Sequence, residues 1–183
     1  MDAAPEVQET GNLSATIYEW LQSLVVAWVV CLLIFVFGVR QIGVDGRSMV
    51  PTLHHQDRII VSNVLYEPER GDVVVLTNKE FMTKPIVKRV IAVGGDTVDI
   101  DYDAGYVILN GSPIDEPYIN ERMLPRLSGV DFPLTVPEDF ILVMGDNRNN
   151  SSDGRVFGPV DKREVLGRVY VVAWPVSNWK VVT

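Results

Sequence analysis

Two residues of this sequence could together supply a nucleophile and its base: Ser48 in the run GVDGRSMVPTL and Lys88 in KRVIAVGGD. A serine hydroxyl is a poor nucleophile until a neighbouring group takes its proton, and a lysine amine can take that proton only when it is neutral. Gly46 before the serine would let an extended peptide approach the backbone closely. Taken alone, each residue is also compatible with an ordinary turn serine and a surface lysine, so their pairing is what indicates a serine/lysine hydrolase.

Lys88 lies in a segment whose alternation is typical of a β-strand. In Ile86-Val87-Lys88-Arg89 the alternation places Lys88 on the face opposite Val87 and Arg89. If the Lys88 face is apolar, desolvation penalises the ammonium form and lowers the lysine pKa from its reference of about 10.4. The strand therefore predicts a usable base at neutral to mildly alkaline pH.

A third polar segment, GDNRNNSSDGRVFGPV, follows another predicted strand and concentrates charged residues in a glycine-rich loop. An ion pair between Asp153 and Arg155, or between Asp146 and Arg148, would hold this loop, and Ser151 could orient a lysine amine. The glycine spacing and closing glutamate of a calcium loop are missing. We therefore expect no metal here.

The two histidines are poor candidates for chemistry. His54 and His55 are adjacent, so in an extended segment they point to opposite faces and cannot chelate one metal together. A Ser48–His54 pair is possible in principle, but no orienting acid is evident, and surface histidines are the favoured interpretation.

One long apolar segment, residues 21–39, carries no charge and has about the ~20 residues needed to cross a bilayer core. The preceding residues include no Lys or Arg, and no small-x-small cleavage site follows, which favours a retained anchor over a cleaved signal peptide.

The net charge of −8 argues against a nucleic-acid partner, and the single cysteine, Cys31, excludes an intrachain disulfide.

These patterns predict a flexible tail over residues 1–16, a transmembrane anchor over 17–39 and a mostly β catalytic domain over 40–183, with a loop-rich excursion at about 102–139. Predicted strands are at 58–61, 72–77, 86–93, 97–100, 106–109, 140–144 and 169–173. Asn110-Gly111 is the best two-residue hairpin candidate.

The motifs SMxPTL, RGDVVVL, KRVxxxxGD and GDNRxxSxDxR, in this order, resemble bacterial type I signal peptidases of the serine/lysine, Gram-positive-like kind. The resemblance spans the anchor and almost all of the domain. It implies an antiparallel-sheet body with one N-terminal transmembrane helix, no cofactor, and cleavage of secretory preproteins after small residues at −1 and −3.

The same resemblance implies roles for individual residues. Ser48 would be the nucleophile, with its backbone N–H in the oxyanion hole, and Lys88 the general base. Ser151 would orient the amine, and the supporting residues would be Asp153, Arg155, Arg89 and Asp146. The positions that would line the −1 and −3 pockets are Val44, Met49, Leu53, Ile86 and Val87.

Two residues depart from the family pattern. Gly46 stands where some members place an oxyanion-hole serine, which leaves the second oxyanion donor undetermined. Gly154 stands where GDNRxxSxDSR has a serine, and the change is expected to remove a supporting hydrogen bond.

Topology and biological role have competing interpretations. Arg40 and Arg47 follow the anchor and no basic residue precedes it, which by charge bias places the domain in the cytoplasm. The resemblance implies the extracytoplasmic face of the cell membrane, and we prefer that expectation. Two alternatives stay open: a maturation peptidase for a dedicated precursor such as a pilin, and a non-enzymatic membrane-tethered peptide-binding module.

Overall fold

The computed structural model describes residues 12–77, 84–125 and 129–182. It divides into two compact units, residues 1–38 and 39–183. The first unit contains α1 (Asn12–Gly38), within which Ala15–Leu33 is long and apolar enough to cross a membrane by length and composition. The helix begins earlier than the predicted anchor boundary at residue 17, and the rest of the predicted tail, residues 1–11, lies outside the described residues.

The second unit is built from antiparallel strands, as the sequence predicts. Every strand pair that the structure describes is antiparallel. The strands are β1 (Arg40–Gly43), β2 (Arg58–Ser62), β3 (Val73–Leu76), β4 (Ile86–Val93), β5 (Thr97–Asp101), β6 (Tyr106–Leu109), β7 (Ser112–Pro113), β8 (Leu134–Thr135), β9 (Phe140–Met144), β10 (Val160–Asp161), β11 (Val165–Trp174) and β12 (Lys180–Val181).

The larger sheet has eight strands in the order β1-β2-β11-β3-β4-β9-β10, with β12 paired to β11. Strand β4 runs through it, and its Lys88 lies opposite Val74 of β3. Pairing of β4 with β9 starts only at Arg89, opposite Met144. This arrangement puts Lys88 in the sheet interior while β1 forms one edge of the sheet.

A smaller sheet, in the order β7-β6-β5-β8, occupies much of the predicted excursion and also includes the preceding strand β5. Asn110 and Gly111 form the turn between β6 and β7, with φ of 51° and 82°. Positive φ at both central residues is the requirement of a tight hairpin turn, so the predicted hairpin is confirmed.

The sheets enclose their apolar side chains in three clusters of buried residues, as β-branched strands with alternating faces should. One cluster includes Val44, Met49 and Leu53 from the segment around Ser48, packed with residues of β2, β3 and β11. The segment that carries the nucleophile candidate is therefore anchored to the core on both sides of Ser48.

All seven strands predicted from sequence are present, six with ends within one residue of the prediction, whereas β11 begins four residues before the predicted start at 169. Five more were not predicted, namely β1, β7, β8, β10 and β12. They have between two and four residues each. Such short strands owe their existence to partners distant in sequence, which local patterns do not reveal.

Candidate active site

The structure brings the two candidate residues into direct contact. The Nζ of Lys88 lies 2.7 Å from the Oγ of Ser48 and is hydrogen-bonded to it. Lys88 is only 3% exposed, and Ser48 is half-buried. The hydroxyl proton is therefore within reach of the amine that the sequence analysis proposed as its base.

Burial makes the Lys88 amine less basic, so that part of it is neutral and can accept a proton. Desolvation lowers the pKa of Lys88 from 10.5 to about 8, while the carboxylates of Asp153 and Asp146 oppose the shift and Arg155 reinforces it. A substantial fraction of the amine is thus neutral in mildly alkaline solution.

A tight turn, tied to the core and to the opposite loop, holds Ser48. The amide of Val50 donates to the Arg47 carbonyl and that of Leu53 to the Met49 carbonyl. Asn147 holds the backbone carbonyls of two consecutive residues. Its backbone N–H donates to the Ser48 carbonyl oxygen at 2.9 Å, and its side-chain Nδ2 donates to the Arg47 carbonyl oxygen at 3.1 Å.

These two hydrogen bonds from Asn147 were not predicted from the sequence. The residue is part of GDNR, but its partners are about a hundred positions earlier, and nothing local indicates them. Among the described residues, the backbone N–H of Ser48 donates to no protein acceptor. That N–H is available as the oxyanion donor that the family resemblance implies.

Arg89, next to Lys88 along the strand, binds Asp146 in a buried bidentate ion pair. Its Nε and Nη2 each lie 2.9 Å from a carboxylate oxygen of Asp146. Thr52, in the Ser48 segment, donates from its Oγ1 to the same carboxylate at 2.5 Å. Asp146 thereby joins the lysine strand, the serine segment and the polar loop, each of which must be held for the Ser48–Lys88 contact to persist.

Asp153 and Arg155 form the second buried ion pair, with Nε and Nη2 of Arg155 each 2.8 Å from a carboxylate oxygen. Burial alone would raise the pKa of Asp153, but Arg155, the Gly145 N–H and Ser151 together hold that pKa below its usual value. Asp153 therefore stays ionised at neutral pH, where it acts on Lys88.

Ser151 is buried in the same loop, with its Oγ against Gly145. Its implied role as the residue that orients the Lys88 amine stays a prediction, and its hydroxyl also helps to hold the pKa of Asp153 low.

Of the two ion pairs suggested for this loop, Asp153 with Arg155 is confirmed, whereas Asp146 with Arg148 is wrong, since Arg148 binds Glu116 instead. The two side chains form two hydrogen bonds of 3.0 and 2.5 Å, and both are almost fully buried. Tyr118 donates to Glu116 and lies under the Arg89 guanidinium at 4.0 Å. Glu116 and Tyr118 were missed because they lie in a loop without strand or motif signals.

Gly154 has no room for the serine of the family pattern. A Cβ at this position would come within 2.8 Å of both the Leu142 Cδ1 and the Val143 carbonyl oxygen. The change to glycine therefore does more than remove a supporting hydrogen bond, because Leu142 occupies the space that a serine side chain would take.

Gly46, the other departure, has φ of 111° and donates its N–H to Nδ1 of His55 at 3.2 Å. His54 donates its backbone N–H to Asp57. Among the described contacts, the Ser48 hydroxyl is bonded to Lys88 and to neither histidine. The lysine, rather than a histidine, is therefore positioned as the base.

A cavity of about 50 Å³ lies beside Ser48 and Lys88. A single water needs about 10–15 Å³ of such space, so the cavity has room for a small side chain. Leu53 is not among its lining residues, because it is fully buried in the core cluster with Val44 and Met49. Of the predicted pocket residues, those that line the cavity are Val44, Met49, Ile86 and Val87.

Sequence comparisons with known proteins identify the family of this chain. The sequence model of the family described as signal peptidase, peptidase S26, matches residues 17–174. Signal peptidase I S of Bacillus subtilis (strain 168) is 38% identical over 183 residues, covering 94% of this chain and 97% of its own length. Signal peptidase IB of Staphylococcus aureus (strain COL) is 37% identical over 182 residues, covering 90% and 93%.

The crystal structure of a signal peptidase I from Enterococcus faecalis V583 is 28% identical and covers 56% of this chain and 97% of that one, with a TM-score of 0.48. The family match extends over most of the sequence, and the curated relatives share more than a third of their residues with it along nearly their whole length. The chain belongs to the signal peptidase family, peptidase S26.

Proposed function

We propose that Ser48 and Lys88 form the catalytic dyad with which this signal peptidase removes signal peptides from exported preproteins. The observation that carries the proposal is the 2.7 Å contact between the Lys88 amine and the Ser48 hydroxyl, made by an amine that burial holds largely neutral at mildly alkaline pH.

The reaction follows from that contact. Neutral Lys88 takes the hydroxyl proton as Ser48 Oγ attacks the scissile carbonyl, and the resulting oxyanion accepts a hydrogen bond from the Ser48 N–H. The Lys88 ammonium then gives its proton to the departing amine of the mature protein, which leaves an acyl-enzyme. Lys88 next deprotonates a water that attacks the ester, and the signal peptide leaves with a new carboxylate while Ser48 regains its proton.

We further propose that the substrate is read at −1 and −3 by shallow pockets. The support is the small cavity bounded by Val44, Met49, Ile86 and Val87. An extended peptide would gain affinity by backbone pairing along the cavity walls, while the limited volume would restrict side chains to about the size of alanine.

The helix Ala15–Leu33 supports attachment to the membrane by its length and composition. For orientation, we propose that the catalytic domain lies on the extracytoplasmic face, because preproteins reach a signal peptidase there. A protease-protection assay on spheroplasts tests this: digestion of the domain by added protease is expected, and a fully protected domain would contradict it.

The dyad is tested by cleavage of a signal-peptide-bearing precursor in detergent by the wild type, Ser48→Ala and Lys88→Ala. Both variants are expected to lose turnover. Full activity of either variant would contradict the proposed mechanism. Comparing several unrelated secretory precursors with a pilin precursor distinguishes a general enzyme from one with a dedicated substrate.

A further inference from the structure

Residues 116–124, which follow β7, are bonded at several points to the polar loop that carries Asp146 and Asn147. These points are one ion pair and three hydrogen bonds: Glu116 to Arg148, the Asn120 N–H to the Asp146 carbonyl, the Leu124 N–H to Asn149 Oδ1, and Asn149 Nδ2 to the Arg122 carbonyl. Met123 is buried in the core with Leu142 and Met144 of β9. The 116–124 segment is thus fixed to the loop and to the core by residues other than Tyr118.

Tyr118 is the residue of this segment that meets strand β4. Its half-buried ring lies 4.0 Å from the Cζ of Arg89, the neighbour of Lys88. A guanidinium is attracted to the negative face of an aromatic ring, and the attraction strengthens where water is excluded. Burial and the nearby Glu116 raise the pKa of Tyr118, so the ring stays a neutral phenol. Its hydroxyl donates to Glu116 at 3.0 Å, which holds the ring in place.

The ring restrains Arg89 in a direction in which the hydrogen bonds of Arg89 do not. The guanidinium donates to Asp146, to the Gly71 carbonyl and to Thr52 Oγ1. Because the N–H bonds of a guanidinium lie in the plane of the group, these contacts fix it within that plane. Tyr118 lies against its face and therefore opposes motion out of the plane.

Arg89 carries this restraint to the serine segment through Asp146. The carboxylate that Arg89 binds also accepts a hydrogen bond at 2.5 Å from Thr52, four residues after Ser48. The next residue along the polar loop, Asn147, donates its N–H to the Ser48 carbonyl. A shift of Arg89 and Asp146 would therefore move two of the contacts that hold Ser48. Misplacement of reacting groups by about 1 Å can cost about 10²-fold in rate.

Tyr118 does not belong to the wall that a substrate side chain would touch. The described residues that line the cavity beside the dyad belong to 42–49, to Val75 and to 85–88. Loss of the Tyr118 ring is therefore expected to slow the chemical step, measured by kcat, and to leave binding of the precursor largely unchanged.

We infer that Tyr118 is a positioning residue for the reaction at Ser48. Its ring holds the Arg89 guanidinium in place, and through Asp146 and Thr52 it keeps the serine segment aligned. The inference rests on the proposed cleavage of preproteins by the Ser48–Lys88 dyad.

The test measures kcat and KM of the full-length enzyme in detergent on one signal-peptide-bearing precursor, well below each variant's Tm. Tyr118→Leu removes the ring and should lower kcat by about five- to thirtyfold while KM changes less than about twofold. Tyr118→Phe keeps the ring and should lose clearly less. The matched control is Tyr106→Leu, which removes an exposed tyrosine from β6 of the smaller sheet and should leave kcat and KM unchanged.

A double-mutant cycle with Thr52→Val tests the route through Asp146. Both changes act on the position of the same carboxylate, so the loss of kcat in Tyr118→Leu/Thr52→Val should be smaller than the product of the two single losses, by about threefold or more. Losses that simply multiply would show that Tyr118 does not act through Asp146, and would overturn the inference.

Two other results would also overturn it: wild-type kcat in Tyr118→Leu, or equal losses in Tyr118→Leu and Tyr118→Phe. A Tyr118→Leu protein that fails to fold counts against it as well, because the 116–124 segment is held by its other contacts. If the wild type leaves the precursor uncut, the proposed function itself fails.

Discussion

The Lys88 amine and the Ser48 hydroxyl lie 2.7 Å apart although the residues are 40 positions apart in the chain. Two buried arginine–carboxylate pairs surround this contact, Arg89 with Asp146 and Arg155 with Asp153. The site thus combines the Lys88 amine, whose charged form is disfavoured by burial, with two ion pairs that stay charged.

The first prediction concerns the pH dependence of cleavage. Because burial lowers the pKa of Lys88 to about 8, kcat/KM for a precursor should rise with pH through about 8 and level off above it, as the neutral amine becomes the major form. A pH series on the wild type in detergent measures this. A flat profile between about pH 6 and about pH 9 would exclude Lys88 as the titrating base.

The second prediction is that Lys88→Met stabilises the protein while abolishing cleavage. The folded-state pKa of about 8 lies below the ordinary value of 10.5, so below pH 8 the native protein bears the cost of a buried ammonium. That cost is at most roughly 3 kcal/mol and disappears as pH rises from about 8 to about 10.5.

Thermal unfolding at several pH values should show a higher Tm for Lys88→Met at neutral pH and a gain that shrinks toward pH 10 or so. Ser48→Ala is the control, since it is equally inactive but keeps the buried amine. A Lys88→Met protein less stable than the wild type at neutral pH would contradict the prediction.

The third prediction separates the two members of one ion pair. Asp153 raises the pKa of Lys88 and Arg155 lowers it. Asp153→Asn should therefore move the rising limb of the pH–rate profile to lower pH, and Arg155→Met should move it to higher pH.

Each change also leaves a buried charge without its partner, at a cost of about 3–5 kcal/mol in stability. The measurement is accordingly the pH midpoint of whatever activity remains, taken well below each variant's Tm. Shifts of both midpoints in the same direction would show that the charges do not act on Lys88 as described.

The fourth prediction is that Gly154→Ser, which creates the family's usual residue, destabilises this protein. The new Cβ would come within 2.8 Å of Leu142 and of the Val143 carbonyl, and overpacking of this kind costs about 1–3 kcal/mol. Denaturant unfolding measures the loss, and Leu142→Val should recover part of it.

Gly43→Ser serves as the comparison, since a Cβ at Gly43 meets no atom within 4 Å and its stability should change little. If Gly154→Ser is as stable as the wild type, the prediction is wrong, and the surrounding residues can move enough to accommodate the side chain.

Much of the site could be predicted because local patterns mark it. Alternation in β4 identified the strand that carries Lys88, the motif around Ser48 identified the nucleophile candidate, and Asn110-Gly111 indicated its hairpin. These signals are local: strand periodicity and the φ preferences of Asn and Gly act over a few residues.

Of the two ion pairs that the sequence suggested for the polar loop, Asp153 with Arg155 forms and Asp146 with Arg148 does not. The sequence allowed Asp146 to pair with its neighbour Arg148, whereas the structure pairs Asp146 with Arg89, and Arg148 with Glu116. Such choices depend on which side chains the sheet brings together in the interior, where a buried charge must find an opposite charge at any distance along the chain.

The sequence by itself determined the residue types that do the chemistry, the strands that carry them, and an apolar helix long enough for a membrane. Only the tertiary structure decided that the Lys88 amine is buried against Ser48 and that Asn147 holds the serine turn. The reason is physical: periodicity is set by neighbouring residues, whereas desolvation, and with it the pKa of a lysine, depends on everything that packs around it.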